Sequence, residues 1–217
     1  MDREELEKQK LLTYKQLVEY LLSKYGAATC NYFCRDNFKS KNRNVSRSDE
    51  GLICHHIDED KAIMLSTPQW AEKCPYEWQK ADRLVYCNYL EHLLLHIKIA
   101  EEPRHPDAME HQLPGIGGAV NFIIPELNDY FGGYTYTQKW RLLAFEKVDE
   151  NYDEYIQLLE YLWSVIQAKD EYRHRYSMEK LSSGYAGTPY KMILKALKMH
   201  DKELGKLLRK KQKAEKN

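Results

Sequence analysis

No Cys-x-x-Cys pair occurs in the 217 residues, and the cysteines number five. A disulfide framework and a zinc ribbon both lack their residues, so a reducing compartment is expected. No apolar run is long enough to cross a bilayer, and Met1-Asp2-Arg3-Glu4-Glu5 is too charged to open a secretory signal. The expected location is cytoplasmic, with no membrane partner. An excess of one charge is missing as well. Lys plus Arg and Asp plus Glu are both 33, so net charge points to neither a nucleic acid nor an acidic surface, and only local clusters can. There is no G-x-S-x-G elbow and no G-x-x-x-x-G-K-[ST] loop, so neither nucleophilic triads nor phosphate cradles have their signatures. Gly115-Ile116-Gly117-Gly118 therefore reads as a turn into the next helix.

What is present is a concentration of histidine. Four of the eight fall between residues 51 and 100 in two tight pairs, within a chain whose 43% apolar content suffices for a core. His92 and His96 stand four apart in a Leu-rich run, which places both rings on one face of a helix about one turn apart. Two such rings can share a metal. His55 and His56 are adjacent at the end of Leu52-Ile53-Cys54; on a strand their rings point to opposite faces, so one can bind a metal while the other does chemistry. A zinc protease also spaces two histidines by four, but it needs Glu directly after the first, and Leu93 stands there.

The flanking elements read as follows. Leu11, Leu12, Tyr14, Leu17, Val18, Leu21 and Leu22 recur at helical spacing and predict an amphipathic helix ending near Gly26. Cys30 and Cys34 follow at helical spacing as two buried small residues. Residues 35 to 48 carry Arg35, Lys39, Lys41, Arg43 and Arg47 against Asp36 alone, a pattern suited to phosphate contacts as well as to a solvated loop. The aromatic linker from Ile57 to Asp82 suggests a capping insertion. Arg83 to Cys87 predicts a second strand, and Asn88 caps a helix running to Pro103. Residues 119 to 131 predict a helix broken or kinked at Pro125, and 138 to 167 one long helix or two broken near 149 to 153. A last helix spans 191 to about 208, followed by the basic tail RKKQKAEKN, read as a frayed end that can add phosphate contacts. His105 and His111 lie in the Pro- and Gly-rich loop before residue 119.

The order His-His-Ile, a gap, Leu-Val, then Glu-His-x-x-x-His on a helix resembles the HNH nuclease family, whose core is a ββα-metal finger. The resemblance covers about fifty residues. It implies that His55 is a metal ligand, that His56 is the general base, and that His92 and His96 are two further ligands, as in the colicin-type branch. Nine residues before the first helical histidine the family has Asn; this chain has Arg83.

The expected fold is α+β and mainly helical, with a ββα-metal finger (49–102) between an N-terminal helical region with its basic arm (1–48) and a C-terminal helical region with its basic tail (103–217). The expected function is metal-dependent hydrolysis of phosphodiester bonds in DNA. His56 would activate water, and one divalent ion (zinc, nickel, manganese or magnesium) on His55, His92 and His96 would stabilise the scissile phosphate. Arg35, Lys39, Lys41, Arg43, Arg47 and Arg83 are the candidate contacts to double-stranded DNA; homodimer formation is left open. The alternative is a structural metal site in a nucleic-acid-binding or protein-interaction module that no longer cuts, a reading favoured by a fourth ligand such as Asp58 or Cys87.

Overall fold

The computed structural model describes residues 2–214 and is mainly helical, with one small antiparallel sheet. The chain begins with α1 (Arg3–Lys10) and α2 (Tyr14–Tyr25). The single helix expected from Leu11 onward is therefore cut back to Tyr14. Thr13 accepts from the amide of Gln16 and its own amide is capped by the Gln16 side chain, a reciprocal capping box that starts a new helix. Leu11, at the break, is 85% exposed.

Residues 26–42 contain no helix, which corrects the helical placement of Cys30 and Cys34; Cys34 is exposed. Phe33 and Lys41 instead form an antiparallel bridge, Cys34 N–H donates to Ser40 O, and Phe38 takes φ 54° at the bend between them. The basic segment is thus an ordered looped arm. It is fastened at its base where Tyr32 N–H donates to Gln79 O.

Strand β1 (Ile53–His56) is followed by a one-turn helix, Ile57–Asp60, then α3 (Pro68–Ala71) within the aromatic insertion. Strand β2 (Leu84–Cys87) returns antiparallel, pairing His55 with Val85 and His56 with Leu84. Helix α4 (Tyr89–Glu101) follows directly. Asn88 caps it as the sequence predicts, accepting from the amides of Leu90 and Glu91 while Glu91 accepts from Asn88 N–H. Strand, insertion, strand and helix form a ββα unit in which α4 touches both strands.

Beyond it lie α5 (Ile116–Gly118), a π-helical stretch Ala119–Ile123, and α6 (Ile124–Phe131). Pro125 sits in the first turn of α6 directly after these π turns, and the helical run continues from 116 to 131 without a gap, so the sequence there changes helix type where a break or kink was expected. The 138–167 segment is two helices, α7 (Lys139–Glu146) and α8 (Tyr152–Ala168). The short α9 (Asp170–Arg173) and α10 (Met178–Leu181) lead to α11 (Lys191–Ala214). This last helix runs through part of the tail read as frayed, and residues 215–217 lie outside the described residues.

One apolar cluster takes in Leu6, Leu17, Val85, Leu94, Ile124, Leu159 and Leu197, so the N-terminal helices, the ββα unit and the C-terminal helices share a core. A smaller cluster under the arm holds Phe33, Phe38, Val45, Leu84 and Tyr86. Because the buried Asn88 satisfies two otherwise orphaned amides, Asn88→Ala should destabilise the fold by about 1–2 kcal/mol in urea unfolding. A loss under about 0.3 kcal/mol would show that the capping box is not what starts α4.

Candidate metal centre

Strand alternation sends His55 toward α2 and α4 and His56 toward the arm. His55 packs its ring against those of His92 and His96 at centroid distances of 5.3 and 5.2 Å. His56 lies against Tyr32 at 4.4 Å. On α4, His92 and His96 bring their Nε2 atoms to 3.3 Å. Two nitrogens each about 2.0–2.1 Å from one tetrahedral ion would stand about 3.4 Å apart. His55, His92 and His96 each supply a nitrogen within 4.8 Å of the other two, and they are the one such group among the described residues.

Hydrogen bonds fix which nitrogens are bare. The Tyr14 hydroxyl donates its only proton to Ile57 O at 2.8 Å, so its 3.0 Å contact with His55 Nε2 requires the imidazole to donate. His55 Nδ1 is then a buried lone pair with no hydrogen-bond partner. His56 is held in the same way. Gln79 uses its amide N–H on Leu65 O at 3.2 Å, so its oxygen accepts from His56 Nε2–H at 2.9 Å, and His56 Nδ1 is also bare. His96 Nδ1–H donates to Gly115 O at 2.9 Å, which frees Nε2. The Gly-rich turn serves this seat: a Cβ on Gly118 would fall 2.3 Å from the His96 ring, and Gly115 takes φ 77° against the end of α4.

A carboxylate closes the centre. Glu59 Oε2 stands 3.3 Å from His96 Nε2 and 3.7 Å from His55 Nδ1, and Oε1 stands 4.0 Å from His56 Nδ1. Burial pushes Glu59 up to about 8. Burial likewise lowers His56 and His96 to about 4 and holds His55 and His92 well below the ordinary value, with the neighbouring imidazoles adding to the depression of His55. At neutral pH the rings are uncharged donors of lone pairs. The set of three imidazoles, one with a partnerless buried nitrogen, fits a divalent cation of the zinc, nickel or manganese type.

The basic residues separate into two groups. Arg83, where the resembled family has Asn, forks onto buried Asp58 with contacts of 2.7 and 2.6 Å, and Asp58 also takes Lys61 at 2.8 Å. Arg47 is bound to Glu50 and to the Tyr25 carbonyl. Lys41 donates to Tyr32 OH at 2.7 Å, which places the arm beside His56. Arg35, Lys39 and Arg43 are exposed on that arm. Asp58 and Cys87, the fourth ligands considered from sequence, stay outside the histidine group, as do His105 and His111. Sequence reasoning missed Glu59, Tyr14 and Gln79. Glu59 sat in an acidic turn, Tyr14 in a helical core stripe and Gln79 in the insertion, so no local pattern marked them.

No protein-family model, no curated protein and no solved structure matches this chain.

Tyr14→Phe removes the acceptor that fixes the His55 tautomer, so zinc affinity should fall about 10–100-fold with the fold retained. Unchanged affinity in a chelator competition would mean the hydroxyl does not orient the ligand. Stability of the metal-free protein should depend on pH in two directions. Histidines depressed from 6.5 to about 4 cost nothing above pH 6.5 and destabilise the fold progressively as pH falls toward 4. Glu59, raised from 4.5 to about 8, costs nothing below pH 4.5 and destabilises as pH rises toward 8. Thermal melts should therefore peak at about pH 6.5–7, where protons lost by the histidines of the unfolded chain balance the proton held by Glu59 in the fold, and Glu59→Gln should lose the alkaline limb alone. An alkaline limb that survives in that variant would assign it to another group.

Proposed function

We propose that this chain is a metal-dependent endonuclease of the HNH type that hydrolyses phosphodiester bonds in DNA, with its ββα unit as the metal finger. The observation that carries the reading is the convergence of bare nitrogens. His55, His92 and His96 gather at a spacing suited to one ion, and the strand neighbour His56 turns a further lone pair toward the same carboxylate. A structural site has no use for that fourth imidazole.

His55, His92 and His96 would hold a divalent cation, which when bound would supply Lewis-acid charge to a phosphodiester. His56 supplies the base. Gln79 keeps the proton on Nε2, so Nδ1 is the accepting atom, and burial keeps it unprotonated at neutral pH. As a water oxygen attacks phosphorus, its proton passes to His56 Nδ1, the bond to the departing sugar oxygen breaks, and that oxygen takes a proton from solvent. The arm lies next to this base through Lys41 and Tyr32, and its exposed Arg35, Lys39 and Arg43 suit contacts to the backbone of double-stranded DNA.

A second reading, a metal-stabilised module that binds without cutting, is favoured by one feature. His56 is fully buried, and Glu59 stands between its Nδ1 and the ligands. Cleavage of supercoiled plasmid separates the two. With metal stripped and zinc, nickel, manganese or magnesium restored, the protein should nick DNA, and His56→Ala should lose about 10²–10⁴-fold in rate while keeping its ion. Full activity in that variant would remove His56 from the chemistry; a wild-type protein that keeps a stoichiometric ion and cuts with none would establish the binding module.

A further inference from the structure

We propose that Glu59 is a fourth protein ligand of the ion, held in the resting site and displaced by the phosphate of the substrate. The proposal rests on the metal reading above. Its geometric basis is that Glu59 Oε2, at 3.3 and 3.7 Å from His96 Nε2 and His55 Nδ1, keeps the separations that ligands of a single ion keep.

The surroundings of this carboxylate point to a cation as its partner. Among the described residues no N–H or O–H hydrogen-bonds to Glu59, although its side chain is only 14% exposed. Its near neighbours are imidazole nitrogens, two of which are bare because their rings spend their protons on Tyr14 and Gly115. A carboxylate facing lone pairs needs a positive charge between them, a proton when the site is empty or a cation when it is filled, and one ion reaches several of these atoms at once.

Displacement follows from the other oxygen. Oε1 is 4.0 Å from His56 Nδ1, so the one carboxylate spans the distance from the ligands to the base. A phosphodiester presents the same pattern, two oxygens sharing one negative charge. His56 is closed to solvent, and Glu59 is the carboxylate next to its bare nitrogen, so moving Glu59 aside would open space at that atom. The backbone need not move for this. The preceding residue, Asp58, is pinned by Arg83 and Lys61, whereas among the described residues the Glu59 carboxyl has no hydrogen-bond donor to give up.

The test uses the full chain stripped of metal. Zinc affinity is measured by competition with a chromophoric chelator, and cobalt(II) absorption reports the ligand set. Glu59→Gln, which keeps size and loses the negative oxygen, should bind zinc at least about tenfold more weakly and show an altered cobalt spectrum; Glu59→Asp should recover part of the affinity. Adding a short DNA duplex to the cobalt-loaded wild type should shift its spectrum toward that of Glu59→Gln. Equal affinity and identical spectra in wild type and Glu59→Gln would overturn the ligand. A duplex that binds and leaves the wild-type spectrum unchanged would overturn the displacement and make Glu59 a permanent ligand. A wild type that takes up neither zinc nor cobalt would overturn the metal reading itself, an outcome distinct from both.

Discussion

A buried imidazole that gives its only N–H to a protein acceptor leaves its other nitrogen bare, and this constraint governs the centre of the molecule. His55 gives its proton to Tyr14, His56 to Gln79 and His96 to Gly115. Each unpaired acceptor left dry costs about 1–3 kcal/mol, and His55 and His56 leave one apiece. Glu59 turns its carboxyl toward the same atoms, so a positive charge placed among them would relieve that cost. The depressed histidines and the elevated Glu59 describe the same fact from the side of proton binding.

The scaffold holds those nitrogens by rigid elements drawn from distant parts of the chain. Helix α4 serves two purposes: its leucines enter the shared core while His92 and His96 face β1. Tyr14 comes from the first turn of α2, which the Thr13 capping box starts at that residue. Gly115 and Gly118 come from the turn after α4, where a side chain would collide with the backbone or the ring it supports. Gln79 belongs to the insertion and also anchors the arm, through its backbone carbonyl to Tyr32. His56, the arm and the insertion are therefore coupled through one residue.

Arg83 stands where the resembled HNH pattern has Asn. A guanidinium cannot accept hydrogen bonds as Asn does. Here it forms a two-pronged pair with buried Asp58, which ties β2 to the turn carrying Glu59. So engaged, Arg83 has less to offer an anion than the exposed cations of the arm.

By itself the sequence determined the local elements of the ββα unit and the pairing of its histidines. Alternation on a strand and a four-residue step on a helix are fixed by backbone geometry, and Asn88 with Glu91 carries its own cap. The break at Thr13 was encoded locally too, in a capping box. Tertiary structure alone decided which ring nitrogens are bare, because the acceptors that fix them lie 41, 23 and 19 residues away along the chain. It also decided that Glu59, one of three acids in a turn, enters the centre while Asp58 turns to Arg83. The side-chain environment of a turn depends on what packs over it, and no periodicity in the sequence carries that information.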